Sequence, residues 1–310
     1  MNKDLNKVNV LVVCPNPSID IYAAIDGFNI GSTTRIKNES RYPGGKGVHV
    51  AMALSELDIH VTLVGFWGGV TGEWVKNEIT KIYPDIKIDG VNIPGWTRSC
   101  YTFKSTNSDD DSELLGAGPE ISPTDYNNFL GIVMDYLSNS SALVLSGSWP
   151  LGAPSNGYAQ LIKLAKSYNV KSFLDCTGEQ FNNALKEEPF LIHLNRHEVM
   201  VTTGITDFDR ARKRISKMVN NCVITNGDKG VYYNTKETEV HSVYRIKDVV
   251  STIGSGDCLL AGIVAGHLKD LPIQEIANLG AACGAANCMR KELGMLHKSD
   301  LQMLLSQDLE

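Results

Sequence analysis

The sequence predicts an α/β protein whose mostly parallel sheet is flanked by helices on both faces. Two observations carry that prediction. Short apolar runs alternate with helix-length segments along most of the chain, and those runs are bounded by Gly, Pro or polar residues, as buried parallel strands are. Length and composition agree with it. At 310 residues a chain removes roughly three quarters of its unfolded surface from water on folding. With 43% hydrophobic and 21% charged residues it has ordinary globular composition, which excludes a disordered or fibrous chain. Residues 1–310 are therefore read as a single domain.

Residues 8–14 open the sheet, and 61–66, 143–146, 172–175, 190–194 and 223–225 supply its further strands. Between and after them, 48–57, 72–82, 124–137, 157–168, 180–185, 207–219, 255–268 and 273–293 have the length and pattern of helices. Strand–helix–strand repetition requires crossover connections, hence a parallel sheet covered on both sides. Two stretches, 19–42 and 98–115, are strand-like with no helix between their strands, and the second reads as a hairpin with a polar tip over 105–112. Two β-only insertions predict one small sheet standing off the main domain as a lid over the strand carboxyl ends, in preference to two ordinary edge hairpins.

The chain carries 29 Lys and Arg against 35 Asp and Glu, a net charge of −6, and no like-charge block longer than Asp109, Asp110 and Asp111. Without a basic stripe it is a poor partner for nucleic acid or an anionic membrane. Any anionic ligand must be met by a few local cations or by backbone N–H groups. Seven scattered cysteines with no C-x-x-C pair argue against a disulfide framework and against zinc, and predict reduced, buried thiols. The first residues show no secretory pattern, and the longest apolar stretch, 258–266, is too short to span a bilayer. A cytoplasmic protein is expected.

The strongest local signal is Gly254-Ser255-Gly256-Asp257, three small residues leading into a helix. A helix start offers unpaired N–H donors and the positive end of the dipole, and glycines admit a phosphate close to backbone. Alone, such a string is more often a tight turn with Asp257 stabilising the helix. A second helix begins at Gly44-Gly45-Lys46-Gly47. This is not a Walker A loop, because Gly47 follows Lys46 and Ser40 stands where the first glycine is needed; no G-x-G-x-x-G occurs either. Lys46 supplies a point charge there, or is simply solvated.

These residues resemble the ribokinase-like, PfkB-type carbohydrate kinases, over nearly the whole chain. Gly44-Gly45-Lys46-Gly47 resembles the family's first signature, and 248–262, with Gly254-Ser255-Gly256-Asp257, its second. Two signatures far apart, each opening a helix in a matching α/β pattern, are much more specific than either alone. Segments 16–20 (NPSID), 65–69 (GFWGG), 97–100 (TRSC), 113–119 (ELLGAGP), 146–150 (SGSWP) and 174–178 (LDCTG) resemble the tagatose-6-phosphate kinase and 1-phosphofructokinase branch. TRSC and LDCTG lean toward the tagatose side.

The resemblance implies a ribokinase-like fold, ATP and Mg²⁺ as cofactors, and a set of roles. Asp257 would be the general base, with Gly254, Ser255 and Gly256 forming the anion hole for the transferring phosphoryl group. Asp20 would bind sugar hydroxyls, with Gly44 and Gly45 beside it. Lys46 and Arg98 would sit near the substrate's existing phosphate, and Ser148 would add a hydroxyl. Asn195 and Glu198 match the family's N-x-x-E element, which organises Mg²⁺ and the ATP phosphates, Glu198 acting on the metal through water. Thr225, Gly227, Gly230 and Asn287 match the nucleotide side. Taken singly, Asn195 and Glu198 also read as a helix capping box, Asp20 as a turn cap and Arg98 as an exposed strand residue. For Ser148, Thr225 and Asn287 the structural reading is the stronger.

Three positions depart from the family pattern. His49 stands where the family usually has Asn, a position that touches the sugar; with Lys46 one turn away, a neutral imidazole is expected, either bonding a substrate hydroxyl or packed in the core under the glycine loop. His193 and Leu194 replace the common Lys-Pro before Asn195, and Cys258 follows the base where Ser or Ala is usual. The expected activity is phosphorylation of a sugar phosphate, a ketohexose phosphate foremost, to a bisphosphate. Two alternatives stay open: a kinase of an unphosphorylated sugar or nucleoside, and a sugar-phosphate sensor without catalysis. Pairing of two lids in a homodimer is also left open.

Overall fold

A computed structural model describes residues 8–27, 30–105 and 111–306. The polar hairpin tip expected at 105–112 falls largely on 106–110, outside the described residues. The chain begins with β1 (Asn9–Cys14), then β2 (Ser18–Ile25), β3 (Asn38–Gly44), α1 (Lys46–Glu56), β4 (His60–Gly68) and α2 (Gly69–Ile82). It continues through β5 (Lys87–Ile93), β6 (Arg98–Ser105), β7 (Asp111–Leu115), α3 (Pro123–Leu137), β8 (Ala142–Ser146), α4 (Gly157–Ser167), β9 (Lys171–Asp175) and α5 (Gly178–Leu185). It ends with β10 (Leu191–Asn195), α6 (Arg196–Thr203), α7 (Phe208–Ser216), β11 (Asn221–Thr225), β12 (Val231–Thr235), β13 (Glu239–Ser242), α8 (Ser255–Leu268), α9 (Ile273–Cys288) and α10 (Lys298–Leu305).

The main sheet has nine strands in the order β13-β12-β11-β10-β9-β8-β1-β4-β5. From β5 to β11 every pairing is parallel; β12 and β13 close one edge as an antiparallel hairpin. Side chains alternate across this sheet as the pleat requires. In β1, Val10, Val12 and Cys14 join the core beneath α1, α8 and α9, while Leu11 and Val13 join the core beneath α3, α4 and α7. Both faces are covered, which is why β1 is apolar from Val10 to Cys14. Local chemistry sets several helix starts. Ser122 caps α3, with Pro123 at its first position and Asp125 completing a reciprocal box, a device worth about 1 kcal/mol.

The two β-only insertions do form one sheet. Its order is β3-β2-β6-β7, with β2 and β6 parallel and the outer pairs antiparallel. The β2–β6 register places Ser18 beside Arg98 and Asp20 beside Cys100, so alternate residues of both strands share one face.

Sequence reasoning did not anticipate β5, β12, β13, α6 or α10. It also ran the last long helix to 293, whereas α9 stops at Cys288. Beyond that point the chain turns back, burying Leu293, Met295 and Leu296 and setting Gly294, at φ +66°, against His49. Among the described residues no helix is long and apolar enough to cross a membrane. All seven cysteines are free thiols, six of them buried.

Candidate active site

The carboxyl ends of the parallel strands open into a cleft of about 820 Å³, within the usual size range of small-molecule sites. Its floor is set by sheet register. Ser146 pairs with Asp175 and Asn195 with Thr225, while the β9–β10 register sets His193 opposite Asp175, so β10 and β11 run two residues further than β8 and β9. From above, Ser18 and Asp20 of β2 and Arg98, Cys100 and Thr102 of β6 face the same space. This is where ligands bind in open α/β sheets.

Helix α8 points its N-terminus into the cleft. Gly254 precedes it at φ +81°, a left-handed conformation, and a Cβ there would collide with Gly294. The Ser255 N–H bonds back to the Thr252 carbonyl at 3.2 Å, whereas the Gly256 and Asp257 N–H groups make no backbone bond among the described residues. The free donors at this helix start are thus those of Gly256 and Asp257, and Ser255 serves the turn. Asp257 is buried, and one carboxylate oxygen lies 2.8 Å from His49 Nδ1, the only hydrogen bond this carboxylate makes among the described residues. Burial raises its proton affinity, while His49 opposes that rise.

Asp20 takes a 2.6 Å hydrogen bond from Ser18 Oγ and lies 3.2 Å from His49 Nε2, at an angle poor for a hydrogen bond. Gly44 leaves the space that its carboxyl group occupies. Burial alone would raise Asp20's pKa; His49, Ser18 and Arg98 outweigh it and hold the carboxyl below the ordinary value. The imidazole between Asp20 and Asp257 overturns one expectation. Burial disfavours its charge, but the hydrogen bond to Asp257 and the charges of Asp20 and Asp257 prevail and push its pKa up to about 10, which favours a cationic ring over the neutral one expected. Nδ1 is bonded to Asp257, whereas Nε2, toward Asp20, has no hydrogen-bond partner among the described residues, and His49 lines the cleft.

A second charged cluster lies on the floor. Lys46, at the start of α1, reaches Asp175 at 2.8 Å and Glu198 at 3.4 Å. Asp175 also meets His193 Nδ1 at 3.0 Å. Burial opposes ionisation of Asp175, but Lys46 and His193 hold it well below the usual carboxylate range. Lys46 therefore faces carboxylates, and any phosphate it meets must share it with them. Arg98 donates to the carbonyls of Gly116 and Asn16, both at 3.1 Å, tying β6 to the β1–β2 turn; the residue lines the cleft, and its Nε is buried with no partner among the described residues.

Asn195 and Glu198 form a full capping box on α6: Asn195 Oδ1 accepts from Glu198 N at 2.9 Å, and Glu198 Oε2 accepts from Asn195 N at 2.8 Å. Among the described residues no group of three or more His, Cys, Asp or Glu is placed to hold a metal. With its carboxylate already in contact with Asn195 N and Lys46, Glu198 fits a magnesium ion reached through water better than direct ligation.

Ser148 and Thr225 line the cleft, and Gly227 lines a smaller adjoining pocket with Asn195 and Thr225. Gly45 lies at the cleft, whereas Gly230 does not; it turns the chain between β11 and β12 at φ +82°. Asn287 is not brought to the cleft either. It is buried, donating to the Met295 carbonyl at 3.0 Å, and ties α9 to the chain that follows. Cys258 is fully buried and its thiol is pushed well up by burial, as expected of a packed and unreactive residue. Asp175 and His193 were not predicted as site residues. The usable signal was position, since each sits at or near the carboxyl end of a buried strand.

An α/β sheet with a polar cleft at its strand carboxyl ends, and a helix N-terminus and buried carboxylate beside it, is an arrangement able to bind an anionic ligand, and family membership and named relatives make the chain a phosphotransferase that acts on a sugar hydroxyl. The chain belongs to the pfkB family of carbohydrate kinases, whose pattern matches residues 11–297. It is 30% identical to the 1-phosphofructokinase of Bacillus subtilis over 291 residues, 92% of this chain and 94% of that one. It is 28% identical to a tagatose-6-phosphate kinase of Staphylococcus epidermidis over 309 residues, 96% and 98% of the two chains. Escherichia coli phosphofructokinase-2, solved with substrates and products, superposes with a TM-score of 0.86 at 22% identity, covering 96% of this chain and 98% of that one.

Proposed function

We propose that this chain is an ATP- and Mg²⁺-dependent kinase that converts a ketohexose phosphate to a bisphosphate. The observation that carries the reading is Asp257: a buried carboxylate at the mouth of α8, beside two N–H groups with no backbone partner among the described residues and separated from Asp20 by the His49 ring alone. In this reading Asp20 holds a sugar hydroxyl and Asp257 takes the proton of the attacking one. The N–H groups of Gly256 and Asp257 meet the negative charge that develops on the phosphoryl oxygens. Arg98 faces the substrate's own phosphate; its planar fork suits two phosphate oxygens. Asn195 and Glu198 order the nucleotide end, with Thr225 and Gly227 beside it. ATP supplies the phosphoryl group and Mg²⁺ neutralises its charge. The small sheet acts as a lid that keeps water from the reacting groups. Family membership and the names of the two relatives support a sugar phosphate acceptor.

A coupled ADP-release assay over fructose 1-phosphate, fructose 6-phosphate, tagatose 6-phosphate, free ketohexoses, ribose and nucleosides tests the proposal. We expect the highest kcat/KM on a ketohexose phosphate. Preference for an unphosphorylated acceptor would overturn the substrate assignment. Tight sugar phosphate binding without ADP release would overturn catalysis.

A further inference from the structure

His49 is 3% exposed, and the chain is built around it. Its ring lies between α8 and β2, with Nδ1 2.8 Å from Asp257 and Nε2 3.2 Å from Asp20. Gly294 closes the remaining side, since a Cβ at that position would fall inside the imidazole. A neutral imidazole donates from one nitrogen only, so in this position its other lone pair would face a carboxylate oxygen. Only the doubly protonated ring answers both.

We propose that His49 is a positioning residue: an imidazolium strut that joins the sugar-binding carboxylate Asp20 to the general base Asp257. It fixes their separation and keeps both ionised. The inference rests on the kinase reading for those two roles. With one oxygen of Asp257 held by the ring, the other is directed to the cleft. Charge gives the strut its second effect. Two buried carboxylates with only a neutral amide between them would repel, and the proton affinity of each would rise. The cation removes that repulsion, so Asp257 stays a free base at lower pH. When Asp257 accepts the hydroxyl proton, the sugar O–H bond breaks and a carboxylic O–H bond forms. The sugar oxygen then bonds to the γ-phosphorus, and the bond from that phosphorus to the oxygen bridging it to the β-phosphate breaks.

Every charged or titratable group near the ring fits this account. Asp257 faces it from α8 and Asp20 from β2. Lys46 lies on the same helix but is held by Asp175 of β9 and Glu198 of α6. Arg98 of β6 acts on Asp20, and the Cys14 thiol of β1 is held uncharged by burial. The charge at His49 is thus set by its two carboxylates, consistent with a pKa raised to about 10.

The test has two arms. First, the full chain is labelled at its histidine rings, His49 is assigned through its backbone, and its ring shifts are followed by NMR from pH 6 to 10.5. We expect an imidazolium throughout the neutral range, titrating only toward pH 10. A ring neutral at pH 8 overturns the proposal, and this arm needs no turnover. Second, the pH dependence of kcat/KM at saturating MgATP is compared for wild type, His49→Asn and His49→Gln. Removing the cation should move the acid limb up by about 1–3 pH units. An unshifted limb in a folded variant also overturns it. If no acceptor is phosphorylated by wild type, the kinase reading fails, and the NMR titration still decides the charge of His49.

Discussion

Replacing Asp257 with Asn removes the base and, with it, one of the two charges paired with the buried His49 ring. The amide has the same shape, and its Oδ1 can still accept the proton that His49 Nδ1 donates at 2.8 Å. The Gly256 and Asp257 N–H groups at the mouth of α8 are backbone and are untouched. Both ligands should therefore bind nearly as before, and only proton removal from the attacking hydroxyl is lost. A positioned general base contributes about 10²–10⁴-fold, equivalent to about 3–5 kcal/mol of barrier. The expected result is a kcat lower by about that factor, with KM for both substrates within about threefold and a thermal midpoint lowered by the loss of one charge paired with His49, the protein still folded at assay temperature. Steady-state ADP release on the preferred acceptor at pH 7.5, with melting followed by circular dichroism, measures all three. A folded Asp257→Asn enzyme retaining more than about a tenth of wild-type kcat would refute the assignment. A large rise in KM with unchanged kcat would show instead that Asp257 binds substrate without taking a proton.

Three further outcomes follow from the same geometry. Arg98→Ala should raise KM for a phosphorylated acceptor about 10- to 150-fold, the loss of a charge-assisted contact, and leave KM for ATP near wild type; equal weakening of both would put Arg98 on the wrong side of the cleft. Gly294→Ala places a Cβ inside the His49 ring at a positive φ, and should lower stability by at least about 1–2 kcal/mol in urea titrations; a neutral effect would show that the ring is not held there. His49 also links stability to pH: with its folded pKa raised from about 6.5 to about 10, the folded state holds the proton that the unfolded state releases. That contribution is whole below pH 6.5 and lost as pH rises toward 10, at up to about 1.4 kcal/mol per pH unit, so denaturant midpoints should fall across this range in wild type and stay flatter in His49→Asn.

The main sheet was legible because burial on both faces leaves its strands apolar and their edges marked. What was missed lacks that signal. β5 carries Gly90 at its centre, where a Cβ would strike the Gly65 backbone of β4, so the strand reads as a loop until its neighbour is known. β12 and β13 are short and polar enough to pass for connection, and α6 announces itself only through the Asn195 cap that was also claimed for nucleotide binding. The site separates in the same way. Asp257 and Gly254 could be found because a helix start is a local event. Asp175 and His193 could not be singled out by residue type, because their chemistry comes from Lys46, which lies 129 residues from Asp175 in sequence. Gly230 and Asn287 show the converse: residues that match a family pattern by position, one occupied in a turn and one buried behind the cleft.

His49 shows most directly where sequence spacing misleads. The neighbour visible in sequence is Lys46, one helical turn away, and its charge argues for a neutral ring. That charge is already engaged by Asp175 and Glu198. The groups that decide the matter are Asp20, on a strand of the small sheet, and Asp257, 208 residues further along the chain. Both lie closer to the ring than an exposed i, i+3 neighbour would be, and both are buried, where charge–charge interactions are screened less than at a surface. The protonation of a buried histidine is thus a property of the tertiary fold. In this chain the residue in place of the family's usual Asn brings a positive charge between two carboxylates, which an amide cannot do.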